Sequence, residues 1–414
     1  MRKTALIVEP YLSGGLLPEA FARFDVATIG IHLRAEGGRV SQTFLDHQYP
    51  DQVYFSGDLP ELTANLASVP VVAVTAGQEA GVELSDLLVE HYDVRGNDPS
   101  KSKARRNKYL MHEMIASAGL RAIRQTKSSN VADLVRWANE LDEWPVVIKP
   151  VNSGGTDGVR FCHSPQKIEA AFEYAIGVTN LLGFHNEELI AQERIEGIEY
   201  IVDTVSCDGE HTLVNIARYQ KEFVDGAPIY RTIDFLDPSE WPAKKHLSEY
   251  VFSVLNALGI RNGPAHSEVF ETGADCVLVE TGARLCGAMV PKYIDEISSR
   301  SILDLSVSSI VEPDQFRRIS NTDHRYDSKL LAFVLKAKRH GILQSRPGND
   351  LMLELQSFRD IHWYGKIGGQ VIPTRDLLTG LGMVFLKSSD EAVLNADLER
   401  LKQWEEQDRL VELA

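Results

Sequence analysis

The sequence predicts a parallel α/β unit followed by a longer α+β region, and three observations carry that expectation. Short apolar runs alternate with helical periodicity over roughly the first hundred residues. A turn-rich break, Gly96-Asn97-Asp98-Pro99, follows them. Beyond it, strand-like segments follow one another with a glycine-rich loop and a hairpin signature among them.

Taken in order, Thr4 to Glu9 reads as a buried strand, and Pro10 to Gly15 has the turn chemistry of a strand-to-helix loop. Val53 to Phe55 and Val69 to Val74 read as further strands. After Ser100 a basic helix start places Met111, Met114, Ile115 and Ala118 on one face, with Lys108 in its first turns and Gly119 ending it. A strand near Ala122 to Thr126, a helix from about Asn130 to Leu141 and the strand Pro145 to Lys149 come next. Strands are then expected at Leu189 to Arg194, Glu199 to Cys207 and Thr212 to Tyr219, and a helix around Ser248 to Leu258. Ala265 to Glu271 and Cys276 to Thr281 form the hairpin. From about residue 321 the chain mixes strands with a final amphipathic helix near Asp390 to Glu405 and shows no motif of known chemistry.

At 414 residues the chain has the length of two to three domains, taking roughly 150 residues for each. Hydrophobic residues at 43% and charged residues at 25% fit a folded globular protein and exclude wholesale disorder. The 43 basic residues stand against 59 acidic ones, a net charge of −16, which argues against a surface built to neutralise nucleic-acid phosphates. No apolar run approaches the 18 or so residues that span a bilayer, and Glu9 cuts short the only apolar stretch near the start, so neither a membrane segment nor a secretory signal is expected. Cys162, Cys207, Cys276 and Cys286 lie far apart with no C-x-x-C spacing, the pattern of reduced thiols in a cytoplasm. Composition carries no assembly state; a homodimer is the default only because dimers are the commonest soluble assembly.

Two segments carry candidate chemistry. The first is Lys149-Pro150-Val151-Asn152-Ser153-Gly154-Gly155-Thr156-Asp157-Gly158, a lysine at a strand end before a loop with three glycines. Glycine lets backbone N–H groups approach phosphate oxygens, and Ser153 or Thr156 adds a hydroxyl donor. The alternative is a surface hairpin with glycine turns. Neither G-x-x-x-x-G-K-[ST] nor G-x-G-x-x-G occurs in the chain.

The second segment is the hairpin carrying Glu268 and Glu280. A three-residue loop at Gly273 to Asp275 would pair residue 272 with 276 and hence 268 with 280, setting two carboxylates opposite each other with Cβ atoms roughly 5 Å apart. His266, Glu268 and Phe270 would share one strand face, and Cys276, Leu278 and Glu280 another. Like charges so placed repel unless a cation bridges them, and an all-oxygen ligand set suits magnesium. The alternative is a solvated edge with two exposed glutamates. Four residues on, Arg284 supplies a planar guanidinium suited to phosphoryl oxygens. Glu193 and Glu199 flank Gly197 at a strand junction, where either can accept from a ribose or an adenine amine.

The order of these residues resembles the ATP-grasp superfamily over roughly residues 100 to 310. Glu280-Thr281-Gly282-Ala283-Arg284 departs from the commoner E-x-N-x-R of that superfamily and looks like the L-amino-acid ligases that form dipeptides, the bacilysin-synthetase-like and dapdiamide-ligase-like branch. His266-Ser267-Glu268 and Gly77-Gln78-Glu79-Ala80-Gly81-Val82-Glu83-Leu84 with Asn97 match that branch as well. The resemblance implies an ATP-grasp fold with a pre-ATP-grasp α/β domain at 1–99, a central subdomain at 100–195 and a C-terminal subdomain with a small extension at 196–414. It implies that Lys108 and Lys149 contact ATP phosphates and that the loop containing Ser153, Gly154, Gly155 and Thr156 closes over them. Glu193 and Ile195 would lie at the adenine hinge and Glu199 would bind ribose. Glu268 and Glu280 would hold two magnesium ions, which manganese can replace; Gly282 would leave water in place of a third ligand. Arg284 would stabilise the phosphoryl group and the tetrahedral intermediate, and His266 would line the amino-acid pocket.

The activity so implied joins an amino acid to a second amino acid through an acyl phosphate, with ADP and phosphate released, and a role in dipeptide antibiotic synthesis. The same fold also serves carboxylases and purine-pathway ligases. A nucleotide-binding protein without catalysis is the remaining alternative.

Overall fold

A computed structural model describes residues 2–33, 48–224, 227–273 and 275–414. The first four strands, β1 (Thr4–Val8), β2 (Ala27–His32), β3 (Gln52–Tyr54) and β4 (Val71–Ala76), form a parallel sheet in the order β3-β2-β1-β4. Every residue of β1 is buried, as expected of a strand covered on both faces by crossover helices. The helix Val82–Tyr92 packs Leu84, Leu88 and Val89 onto this sheet. β2 is a strand that periodicity alone did not single out.

A 3₁₀ helix, Pro99–Arg105, leads out of this unit. Arg105 is fully buried and reaches three ways: Nη2 donates to Asp86 Oδ2 at 2.7 Å and to the Asp98 carbonyl at 2.9 Å, and Nη1 donates to the Leu258 carbonyl at 2.9 Å. Removing one partner of a buried ion pair leaves the other charge uncompensated. Arg105→Ala is therefore expected to lower stability by about 3–5 kcal/mol, read as a drop in thermal midpoint; an unchanged midpoint would rule out this junction as a structural tie.

Next comes the helix Lys108–Ser117, capped by the Asn107 side chain accepting from Leu110 N at 3.1 Å. It packs Met111 and Ile115 into a core shared with the helix Lys245–Ala257 and the large sheet described below. A small antiparallel sheet follows in the order β5-β8-β6-β7: β5 (Gln125–Ser128), β6 (Val146–Pro150), β7 (Arg160–Cys162) and β8 (Leu189–Glu193). Helices Val131–Leu141 and Pro165–Ala175 cover it through Leu134, Ala138, Ile168 and Phe172.

The large sheet is antiparallel and eight-stranded. It contains β9 (Ile198–Cys207), β10 (Glu210–Val224), β11 (Ala227–Phe235), β12 (Gly263–Thr272), β13 (Asp275–Gly282) and β14 (Lys329–Leu335). Beyond β15 (Gly341–Ser345), β16 (Phe358–Trp363) and β17 (Gln370–Val371) comes β18 (Gly382–Ser388); the sheet order is β13-β12-β9-β10-β11-β14-β18-β16. The residues after 321 thus extend the same sheet through β14, β18 and β16. β15 and β17 join β19 (Glu412–Leu413) in a small sheet of their own. All four cysteines are free and buried, and among the described residues no helix is long and apolar enough to cross a membrane.

Candidate active site

The sheets β5-β8-β6-β7 and β9–β14 both contribute walls to a cavity of about 530 Å³. Lys108, Lys149, Glu199, Glu268, Glu280 and the loop Ser153–Asp157 all line it, so most of the residues singled out from sequence converge on one place. Arg284 and His266 stand outside that lining, adjoining it through Glu280 and Glu268.

The hairpin meets there by a different route from the expected one. Thr272 pairs with Asp275, a turn one residue shorter than the sequence suggested, and Ala274 within it lies outside the described residues. Left alone, that register sets Glu268 opposite Val279. A β-bulge between Glu268 and Val269 on the partner side inserts one residue, so Val269 pairs with Leu278 while Glu268 pairs with Glu280. The bulge also corrects the expected faces. Cys276 and Leu278 pack into the core, whereas Glu280 joins Glu268 and Phe270 on the cavity. Without the extra residue the side-chain alternation would carry Glu280 to the core side.

His112, one turn along the helix from Lys108, supports the bulge. Its Nε2 lies 3.3 Å from the Val279 carbonyl and its Nδ1 3.4 Å from Ile123 N. Burial, reinforced by the Lys149 charge, holds its pKa down to about 3, so the ring is neutral and donates from Nε2 while accepting at Nδ1. Nothing in the sequence marked it, because its role is a contact with a residue far along the chain.

Several charges in the cavity are paired. Lys108, at the first helical position, puts Nζ 2.6 Å from Glu280 Oε2 and donates to the Ser153 carbonyl, while its backbone N–H donates to Val151 O at 2.8 Å. Lys221, on β10, lies 2.6 Å from Glu199 Oε1 and 4.4 Å from the centre of the Tyr230 ring. Sequence reading missed Lys221 because nothing in its neighbourhood is a motif; only the β9–β10 pairing brings it to Glu199. Tyr230 Oη donates to Glu268 Oε1 at 3.3 Å.

Burial raises the Glu199 pKa and outweighs Lys221. For Glu268, burial is outweighed by the neighbouring His266 and the Lys221 charge, and its pKa falls to about 2. Burial and the Lys108 charge bring Lys149 down to about 8. His266 donates from Nδ1 to Asp203 Oδ1 at 2.7 Å, and Asn215 Nδ2 donates to Asp203 Oδ2 at 2.8 Å. Burial disfavours its cation, but Asp203 wins and lifts the imidazole to about 9, so it is protonated at neutral pH with Nε2 3.9 Å from Glu268 Oε1.

The glycine-rich loop is ordered by its own side chains. Ser153 Oγ donates to Asp157 Oδ2 at 2.8 Å, Leu181 N donates to the same oxygen at 2.8 Å, and Thr156 Oγ1 donates to Gly155 O at 2.7 Å. Both hydroxyls expected to face phosphate are thus engaged within the loop. Gly155 and Thr156 have φ of +63° each, a conformation that glycine adopts freely and threonine only under constraint. Leu377 N donates to Gly155 O at 3.2 Å, so the region after 321 touches the site. Glu193 faces Arg124, its Oε1 accepting from Arg124 N at 2.9 Å and its Oε2 from Nε at 2.6 Å. Its carboxylate is thus engaged by Arg124, while the segment from Gln192 to Ile198, Glu193 included, lines the cavity.

Arg284 follows β13. Its Nη1 donates to Leu285 O at 2.8 Å, and its Nε lies 2.8 Å from Glu79 Oε2. Burial opposes its charge, but Glu79, Glu280 and Glu268 outweigh that and hold it protonated.

The donor set fits nucleotide and metal. Two carboxylates forced opposite each other onto one cavity are hard oxygen ligands for a divalent cation, and the lysines beside them suit phosphate. The ATP-grasp domain family matches residues 142–292. Dapdiamide A synthase of Enterobacter agglomerans is 29% identical over 353 residues, 84% of this chain and 83% of the relative. The L-arginine-specific L-amino acid ligase of Bacillus subtilis is 23% identical over 274 residues, 64% of this chain and 66% of the relative. The crystal structure of an L-amino acid ligase from Bacillus licheniformis superposes with a TM-score of 0.79 at 16% identity, covering 100% of this chain and 99% of that one.

Proposed function

We propose that this chain, which matches the ATP-grasp domain family over residues 142–292 and is similar to dapdiamide A synthase and the L-amino-acid ligases, is an ATP-grasp ligase that joins the carboxylate of one amino acid to the amine of another through an acyl phosphate. The observation that carries the proposal is the bulge-enforced pairing of Glu268 with Glu280 on a cavity that Lys108 and Lys149 also line. Glu268 and Glu280 would hold magnesium, or manganese in its place, which when bound neutralises phosphate charge and polarises the transferred group.

The chain's own groups do the positioning. Lys108 and Lys149 attract the phosphates of ATP, and the loop from Ser153 to Gly158 covers them and keeps water off the activated acid. The strand junction from Glu193 to Ile195 receives the adenine through its backbone, and Glu199 the ribose. A carboxylate oxygen attacks the γ-phosphorus and ADP leaves; the amine then attacks the acyl carbon, phosphate leaves and the amine loses its proton. Arg284 stabilises the charge that grows on oxygen in both steps. His266, a cation held by Asp203, lines the pocket of the acid. Free buried cysteines and the use of ATP suit a cytoplasmic enzyme of soluble small molecules, and the kinship with dapdiamide A synthase suits dipeptide antibiotic synthesis.

The test is phosphate release with Mg-ATP across the twenty amino acids, singly and in pairs, with mass spectrometry of the products. ADP together with a dipeptide mass for particular pairs is the expected result. Bicarbonate-dependent turnover without any amide product would overturn it in favour of a carboxylase.

Lys149 adds a pH dependence. Its depressed pKa of about 8 means that the free enzyme loses this cation as pH rises through that value, and phosphate attraction with it. The expected result is a kcat/KM for ATP that falls above about pH 8, with the limb moved to higher pH in Lys149→Arg, whose guanidinium stays charged. A flat profile to pH 9.5 in the wild type would remove Lys149 from nucleotide capture.

A further inference from the structure

Glu79 belongs to the N-terminal unit, at the start of a short 3₁₀ turn before the helix Val82–Tyr92. Its carboxylate is nonetheless buried against the end of β13, outside the lining of the nucleotide cavity. Oε1 accepts from Arg106 Nη1 at 2.8 Å, and Oε2 lies 2.8 Å from Arg284 Nε. The side chains of Glu79, Arg284 and Arg106 are 13%, 14% and 3% exposed, so this is an interior carboxylate shared by two guanidinium groups. Burial penalises its charge, but Arg284, Arg106 and Lys108 outweigh the penalty and keep it ionised.

Gly282 makes the arrangement feasible. A Cβ built there would stand 2.4 Å from Glu79 Oε2 and 3.4 Å from Arg284 Cζ. Gly282 carries no left-handed φ, so its backbone does not demand glycine. The space above it does. The same carboxylate connects outward through Arg106, whose Nη2 donates to Asn152 O at 3.2 Å at the root of the glycine-rich loop. One N-terminal residue thus ties Arg284 to the loop root by two short links.

We infer that Glu79 is a positioning residue of the ligation reaction, fixing the Arg284 guanidinium in the notch that Gly282 leaves open. The inference rests on the role proposed above for Arg284. Nη1 donates to Leu285 O, and Nε lies 2.8 Å from Glu79 Oε2 as an ion pair in which neither atom completes a hydrogen bond, so the Leu285 bond and the Glu79 charge together hold the guanidinium and leave Nη2 without an acceptor among the described residues. That amino group is the one presented to a substrate oxygen. An arginine held only by its flexible stem would have to be ordered in each turnover.

Four variants test this. Glu79→Gln keeps shape and removes charge; its kcat is expected to fall about 10²-fold, the cost of a misplacement on the order of 1 Å, with the Kd for ATP within about twofold of wild type, since Lys108 and Lys149 are untouched. Gly282→Ala drives a methyl group at the mobile end of the Glu79 side chain, so the fold tolerates it while kcat falls similarly. Glu79→Ala/Gly282→Ala is expected to be no worse than Glu79→Ala alone, because the second change acts only through the carboxylate. A kcat for Glu79→Gln within threefold of wild type would overturn the inference, as would effects of the two sites that multiply. Where the wild type shows no amino-acid-dependent turnover, the proposed reaction fails by itself, and the positioning claim is read from the Arg284 Nε–Hε resonance, assigned by its loss in Arg284→Lys. Its order parameter is expected to fall from a rigid value of about 0.85 to below about 0.6 in Glu79→Gln; an unchanged order parameter would show that Glu79 does not hold the guanidinium.

Discussion

Glu280→Gln is expected to lower kcat for ADP formation by about 10³-fold while the thermal midpoint stays within about 3 °C of wild type. The two halves of that result come from different physics. Catalytically, the substitution removes one of two oxygen ligands set opposite each other on the cavity, and an amide neither carries the charge nor matches the affinity of a carboxylate for a hard divalent cation. Structurally, two small terms oppose each other. The amide relieves repulsion with Glu268 across the pair, and it weakens the 2.6 Å contact with Lys108; each is worth about 1 kcal/mol or less at a partly exposed site. A steady-state assay with saturating Mg-ATP, beside a melting curve, reads both. Retained turnover would remove Glu280 from the metal site. A collapsed midpoint would instead make it a structural partner of Lys108.

That pair also measures how far the sequence was legible. The residue types, their order along the chain and the hairpin itself were readable, because alternation and turn chemistry are local properties. The register was not. The expected three-residue turn gave the pairing of Glu268 with Glu280, and the observed two-residue turn gives it as well, because the bulge at Val279 adds back the residue that the turn lacks. The expected sharing of a face by Leu278 and Glu280 fails for the same reason, since a bulge interrupts the period of two. His112 and Lys221 escaped notice, and Glu79 stood only inside a matching segment with no role of its own, for a different cause. Each is defined by a partner 22 or more positions away, Val279 at 167, Glu199 at 22 and Arg106 at 27, and no motif spans such separations. The parallel first sheet, by contrast, followed from short apolar runs such as Thr4–Val8 alternating with helices, which only a two-sided burial explains. The segment after 321 was silent because its contribution is a backbone contact, Leu377 N to Gly155 O, which leaves no trace in side-chain pattern.

Arg284→Lys is the companion experiment, and its expected effect is a fall in kcat of about 10³-fold with the Kd for ATP changed by less than about threefold. A lysine keeps the positive charge, so any role of Arg284 as a plain counter-charge survives the change. What it loses is shape. The guanidinium touches Glu79 through Nε at 2.8 Å and Leu285 O through Nη1 at 2.8 Å, and a single ammonium cannot meet both and still face a substrate oxygen. Ground-state capture of the nucleotide depends on Lys108 and Lys149, which stand on other elements, the helix Lys108–Ser117 and β6. Loss of an interaction made mainly in the transition state therefore lowers kcat and leaves binding intact. A near-normal kcat in Arg284→Lys would mean that charge alone suffices there, and it would take the geometric argument for Glu79 and Gly282 down with it. A parallel rise in the Kd for ATP would place the arginine on the nucleotide before reaction begins and reassign it from the transferring group to the phosphates.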